Sequence, residues 1–317
     1  MIRHSLFAIP NSSRLLAIGE GLLVCVIWAS SFVVVKMGLV HLKPLALAGL
    51  RYFTAFLLLL PLMARRGGRG GVTLPLRDLT PGYWGRLFLI GLCAYTIGNG
   101  TLFWGLQYLP ATTGSFLLTL VPIPILFLGI LRLKEIPTGW QIVGLLVTLG
   151  GGMLFFSSSL RAGEPLAVGV VGIGLLAFAV FGVLGREVAK AQQVPTPSLT
   201  AIPLGFGGGL LLLLALVVEG LPSSGWSLTE PGLAGWAIVL WLAAVNTALA
   251  YMLYNHALRT LTALEMNVLL NLSPLGTALL AARLLHEQVA PAQMLGMVIV
   301  ILGVSAVQCG GRGAGEM

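Results

Sequence analysis

Acidic side chains are scarce in this chain of 317 residues: it has ten Asp and Glu, of which Asp78 is the one aspartate. Charged residues of both signs amount to 9%, against about 25% in soluble proteins, which excludes an ordinary water-soluble domain. The three cysteines, Cys25, Cys93 and Cys309, lie in or beside apolar stretches with neither pairing nor metal-ligand spacing. That excludes a disulfide framework and a thiolate metal site, and leaves them as small packing residues. Also lacking are HExxH, GxSxG, paired aspartates, a Cys/His cluster and any ATP-binding motif. Gly172, Gly174 and Ala177 formally match a dinucleotide fingerprint, but no strand precedes them and the stretch is itself apolar. The chain is therefore read as no enzyme, with no cofactor and no metal.

What the sequence does contain is apolar length. Hydrophobic residues make up 57% and the mean hydropathy is +0.97. A helix needs roughly 20 apolar residues to cross a bilayer, and such stretches recur at 16–37, 45–64, 86–107, 112–131, 138–157, 167–187, 199–218, 234–256, 263–282 and 290–308. The pattern predicts an all-α integral membrane protein with ten transmembrane helices. The basic start, "MIRHSLFAIPNSSR", resembles a secretory signal, but the stretch behind it is long enough to span and lacks a small-residue cleavage site, so it is read as the first helix.

The formal charge of +8 does not point to nucleic acid once its placement is considered. With the N-terminus inside and ten spans, thirteen of the eighteen Lys and Arg fall in inside segments, among them Arg14, Arg132, Lys134, Arg186 and Arg259. The positive-inside rule accounts for the basic balance and predicts that both termini are cytoplasmic. Lys36 and Arg51 sit near span ends; both are expected to snorkel to the outer interface, or to attract an anionic substrate if they face a cavity.

"VPIPILFLGILRLKEIPTGWQIVGLLVTLGG" at 121–151 repeats its landmarks in "SPLGTALLAARLLHEQVAPAQMLGMVIVILG" at 273–303. Pro122, Glu135, Gln141, Gly144 and Gly151 match Pro274, Glu287, Gln293, Gly296 and Gly303, each at an offset of 152 residues. "WASSFVVVK" at 28–36 lines up more loosely with "FAVFGVLGR" at 178–186. The organisation predicted is a cytoplasmic N-terminus at 1–15, a first five-helix repeat at 16–157, a linker at 158–166, a second repeat at 167–308 and a cytoplasmic tail at 309–317. Five is odd, so the second repeat enters the membrane from the opposite face, and the repeats are inverted around a central cavity.

This layout, the "WASSFVVVK" opening with "LRYFTA" at 50–55, and the Pro-then-Glu pattern of Pro122/Glu135 and Pro274/Glu287 resemble the EamA-type family of the drug/metabolite transporter superfamily. The resemblance implies a multi-pass inner-membrane carrier, often an exporter of amino acids or other small metabolites, with a cavity between its halves.

Polar groups inside spans mark a cavity or a helix seam. On that basis Trp28, Ser31, Tyr95, Asn99, Ser115, Asn246, Tyr251, Asn267 and Asn271 are the candidate substrate-cavity residues, and Pro122 and Pro274 the kink or gating positions. Glu265 and Glu20 are candidates for proton coupling. Glu265 also completes a "TALE" capping box with Thr262, Glu135 and Glu287 suit helix N-termini or gating ion pairs, and Glu20 suits an interface. The expected partners are a small neutral or zwitterionic solute and the lipid bilayer; the sequence names no oligomeric state. The expected function is secondary transport by alternating access, with a lipid-intermediate flippase or a non-transporting scaffold or sensor as the alternative.

Overall fold

The structure is a computed structural model that describes residues 12–64, 78–157, 165–220, 231–286 and 290–310. Among these residues there is no strand. Ten helical passages follow one another: α1 Ser12–Gly38, α2 Pro44–Ala64, α3 Pro81–Gly105, α4 Ala111–Leu133, α5 Gly139–Phe156, α6 Pro165–Ala191, α7 Thr196–Val218, α8 Gly232–Ala257, α9 Ala263–Leu284 and α10 Pro291–Gly310. Nine of them are long and apolar enough to cross a membrane by length and composition, and α5 is a shorter apolar helix. Glu287 and the outer parts of both predicted termini lie outside the described residues.

Local chemistry sets the helix starts. Pro44, Pro81, Pro165 and Pro291 open their helices, where a missing N–H leaves nothing unsatisfied. Capping boxes start two more: Thr138 with Gln141 for α5, and Thr262 with Glu265 for α9. The outward faces carry Val26, Leu146, Leu213 and Leu302, each more than half exposed, as suits contact with hydrocarbon.

The repeat is visible in the irregularities as well as the helices. α3 and α8 each contain a π-helical stretch, Leu92–Asn99 and Ala244–Leu249, beginning 152 residues apart. α4 tightens into a 3-10 turn at Leu118–Leu120 before Pro122, and α9 breaks at Asn271 and Leu272 before Pro274. Proline has no N–H to donate, so both helices must bend there. Lys134 and His286, again 152 apart, hold φ of 55° where those bent helices end.

Equivalent helices also pack on each other, α2 along α7 and α5 along α10. In the second pair, a Cβ placed on Gly144 would lie 2.6 Å from the carbonyl of Gly303, and one on Gly151 would lie 2.7 Å from that of Gly296. The residue numbers rise along one helix as they fall along the other, so the equivalent helices are antiparallel. A twofold axis crossing the helices relates the repeats, which are inverted.

Candidate functional site

Between the two halves lies a partly open cavity of about 110 Å³. Seven of its walls come from α1, α2, α3, α4, α6, α8 and α9, so both repeats contribute. Its polar end is set by α9. Asn267 bonds the carbonyl of Ala263 one turn back (2.9 Å), and Asn271 reaches across to the carbonyl of Thr119 (3.3 Å). Ser273, buried, also lines the cavity.

The sides are aromatic. Trp28 lies 5.0 Å from Tyr251 and 5.7 Å from Tyr254 between ring centroids, and Phe181 stacks on Tyr254 at 5.4 Å. The indole N–H of Trp28 is not free for a ligand, because it donates to the carbonyl of Asn246 at 3.1 Å. Asn99 ends the π-helical stretch of α3, and its amide donates to the carbonyl of Ala94, five residues back, at 2.7 Å. The same amide reaches the hydroxyl of Tyr251 at 3.5 Å.

Among the described residues that line the cavity, Arg51 is the one with a fixed charge. The expectation that it snorkels to an interface is overturned: it is 3% exposed, held between α1, α2 and α8. Its Nε donates to Thr247 Oγ1 (2.6 Å), one terminal nitrogen to Ser31 Oγ (2.9 Å) and the other to the carbonyl of Asn246 (3.0 Å). The guanidinium also lies over the rings of Tyr52 and Phe103, 5.1 and 5.7 Å from their centroids.

Of the nine residues named from sequence as cavity candidates, six line it: Trp28, Ser31, Asn99, Tyr251, Asn267 and Asn271. Three do not. Tyr95 is buried behind the wall, its ring 5.0 Å from Tyr52 and 5.1 Å from Tyr251. Ser115 turns back onto the carbonyl of Thr112 within its own helix. Asn246 is fully buried and ties α8 to α1 by donating to the carbonyl of Ile27 and to Ser30. Phe103, Phe178 and Phe181 line the cavity without having been named from sequence. A signal for the last two existed, since they align with Trp28 and Ser31 in the looser match between the repeats.

The proposed proton carriers are engaged elsewhere. Glu265 is 2% exposed and its carboxylate accepts from Arg14 (2.8 Å), the Gln141 amide (3.2 Å) and the N–H of Thr262 (3.0 Å). Glu20 faces His256 with both oxygens 2.8 Å from Nδ1. Arg186 pairs with Glu135 (2.9 Å), whose other oxygen accepts from the N–H of Ala263. These contacts join the halves at the end of the bundle where α1 begins and α8 ends. Among the described residues no group of three or more His, Cys, Asp and Glu gathers to hold a metal.

A bundle of two inverted five-helix repeats around a shared cavity, with polar groups turned inward at the middle of broken helices, is the architecture of a membrane transporter. The chain belongs to the EamA-like transporter family, whose model matches residues 15–157 and again 166–308. It is 25% identical over 288 residues to the uncharacterized inner membrane transporter YedA of Escherichia coli K12, covering 90% of this chain and 88% of that one. An uncharacterized transporter of Archaeoglobus fulgidus is 28% identical, with 89% and 93% covered. A probable amino-acid metabolite efflux pump of Salmonella typhimurium is also 28% identical, with 89% and 91% covered. A crystal structure of another protein superposes with a TM-score of 0.73 at 16% identity, over 93% of this chain and 97% of that one, a likeness of fold.

Proposed function

We propose that this transporter is a secondary carrier, not an enzyme, that exports a small neutral or zwitterionic metabolite such as an amino acid. Transport crosses the inner membrane by alternating access, with both termini cytoplasmic. The observation that carries the reading is the cavity between the repeats, lined by Trp28, Tyr251 and Tyr254 and by the amides Asn267 and Asn271. Amides and aromatic faces suit a small solute with an apolar body, and multiply charged solutes would need several deep counter-charges, whereas Arg51 is the one among the described residues of the lining. The Salmonella relative named as a probable amino-acid metabolite efflux pump and the inner-membrane relative from Escherichia coli support the substrate class and the location. The bends at Pro122 and Pro274 supply symmetric points about which the halves rock.

The test is flux in proteoliposomes against a panel of amino acids and small metabolites, with and without an imposed pH gradient. Saturable counterflow of one or more members is expected. No flux across the panel would overturn the carrier reading in favour of a flippase or a scaffold.

A further inference from the structure

Among the described residues three Arg or Glu side chains are buried: Arg51, Arg186 and Glu265. Arg186 has Glu135 and Glu265 has Arg14. Among the described residues Arg51 has no acid as partner; its partners are a serine hydroxyl, a threonine hydroxyl and a backbone carbonyl. A buried charge without an opposite charge is strongly unfavourable, and among the described residues that line the cavity there is neither Asp nor Glu.

A guanidinium carries five N–H donors, one on Nε and two on each terminal nitrogen. Three are taken by Thr247, Ser31 and Asn246. One N–H therefore remains on each terminal nitrogen, two donors left for the oxygens of an anion. The three bonds that are made fix the fork in place, so little side-chain freedom is lost when an anion docks.

We propose that Arg51 is the receptor for a ligand carboxylate, and that the cavity selects compounds bearing a free carboxylate on an apolar body over the matching amides and amines. The inference rests on the carrier reading and narrows its substrate class. The apolar body lies against Trp28, Phe103 and Tyr251. With no acid among the described residues of the wall, an ammonium group meets no opposite charge there, so an α-amino group adds less to binding than the carboxylate.

The test uses the full chain purified in detergent, with thermal stabilisation as the binding readout. The probes are the alanine, leucine and phenylalanine skeletons, each as the amino acid, the deaminated acid, the amide and the amine. Acids and amino acids of at least one skeleton are expected to raise the unfolding midpoint saturably, and the amides and amines to leave it unmoved. Arg51→Gln is expected to weaken acid binding at least about thirtyfold, the loss typical of removing one partner of a buried charge pair, and Arg51→Lys to weaken it less. Because Arg51 also ties α1, α2 and α8 together, the wild-type series decides alone if Arg51→Gln does not fold. Equal binding of acid and amide, undiminished acid binding by folded Arg51→Gln, or binding by none of the acids overturns the assignment. Saturable flux of a neutral solute together with any of these outcomes would leave the carrier reading standing without it.

Discussion

Asn271 donates its side-chain amide to the backbone carbonyl of Thr119, the residue at the equivalent position of the other repeat. The same is true of Asn99 and Tyr251, which also meet each other 152 residues apart. A residue touches its own counterpart where the symmetry axis passes, so both contacts mark that axis, and Asn271, Asn99 and Tyr251 line the cavity there.

Replacing Asn271 with Ala is expected to impair flux with little loss of folded protein. The bond to Thr119 is long at 3.3 Å, and a neutral hydrogen bond contributes about 1 kcal/mol to stability. Flux measured at equal protein in the liposomes checks this, and undiminished flux would remove Asn271 from the site.

Gly303→Ala should destabilise the protein by about 1–3 kcal/mol, the usual penalty of overpacking. Its Cβ would lie 2.5 Å from the backbone nitrogen of Thr148 and 2.6 Å from the carbonyl of Gly144, neither of which can move alone. Gly150 has nothing within 4 Å of the same position, so Gly150→Ala serves as the control. Thermal unfolding in detergent should separate the two variants by several degrees; equal midpoints would mean that α5 and α10 do not approach this closely.

Glu265→Gln is expected to lower stability by about 1–3 kcal/mol and to leave any response of flux to a pH gradient intact. Its two oxygens already serve Arg14, Gln141 and the N–H of Thr262. A folded variant whose flux no longer answers the gradient would identify Glu265 as a proton carrier.

Glu219, beyond the end of α7, accepts from the N–H groups of Leu45 and Ala46 at the start of α2. Burial pushes its carboxyl above the ordinary value of 4.5, against the opposing pull of those two bonds and of Lys43. A raised carboxyl binds its proton more readily folded than unfolded, so this contribution is full below the ordinary value and fades as pH rises through the folded one. The wild type should therefore gain stability relative to Glu219→Gln as pH falls from 7 to 5. Unfolding midpoints of both proteins at the two pH values measure this, and a relative loss on acidification would mean that the bonds to α2 outweigh burial.

The repeat, the passages and most of the cavity were legible in the sequence because they depend on apolar length and on residue types with few alternatives, such as Pro122, Pro274 and the matched glycines. The π-helical stretches of α3 and α8 were not legible, since one extra residue per turn leaves no mark on composition. Arg51 was misread for a related reason. Its distance from the helix end suits snorkelling, and only the packing of α1 and α8 against that face of α2 turns it inward. Asn246 illustrates the same limit, for an amide that ties α8 to α1 and an amide that greets a ligand are identical as letters.

A chain made of two copies of one unit meets each off-axis contact twice and each axial contact once. The approach of Gly144 to Gly303 is the same event as that of Gly296 to Gly151, so a larger side chain in either copy spoils its own instance, and both copies have stayed glycine. On the axis there is no second instance. There Thr119 faces Asn271 and Asn99 faces Tyr251, where two separate, identical subunits would be obliged to set like against like. Fusion into one chain lifts that obligation, and it lifts it at the middle of the cavity, where unlike groups are most useful.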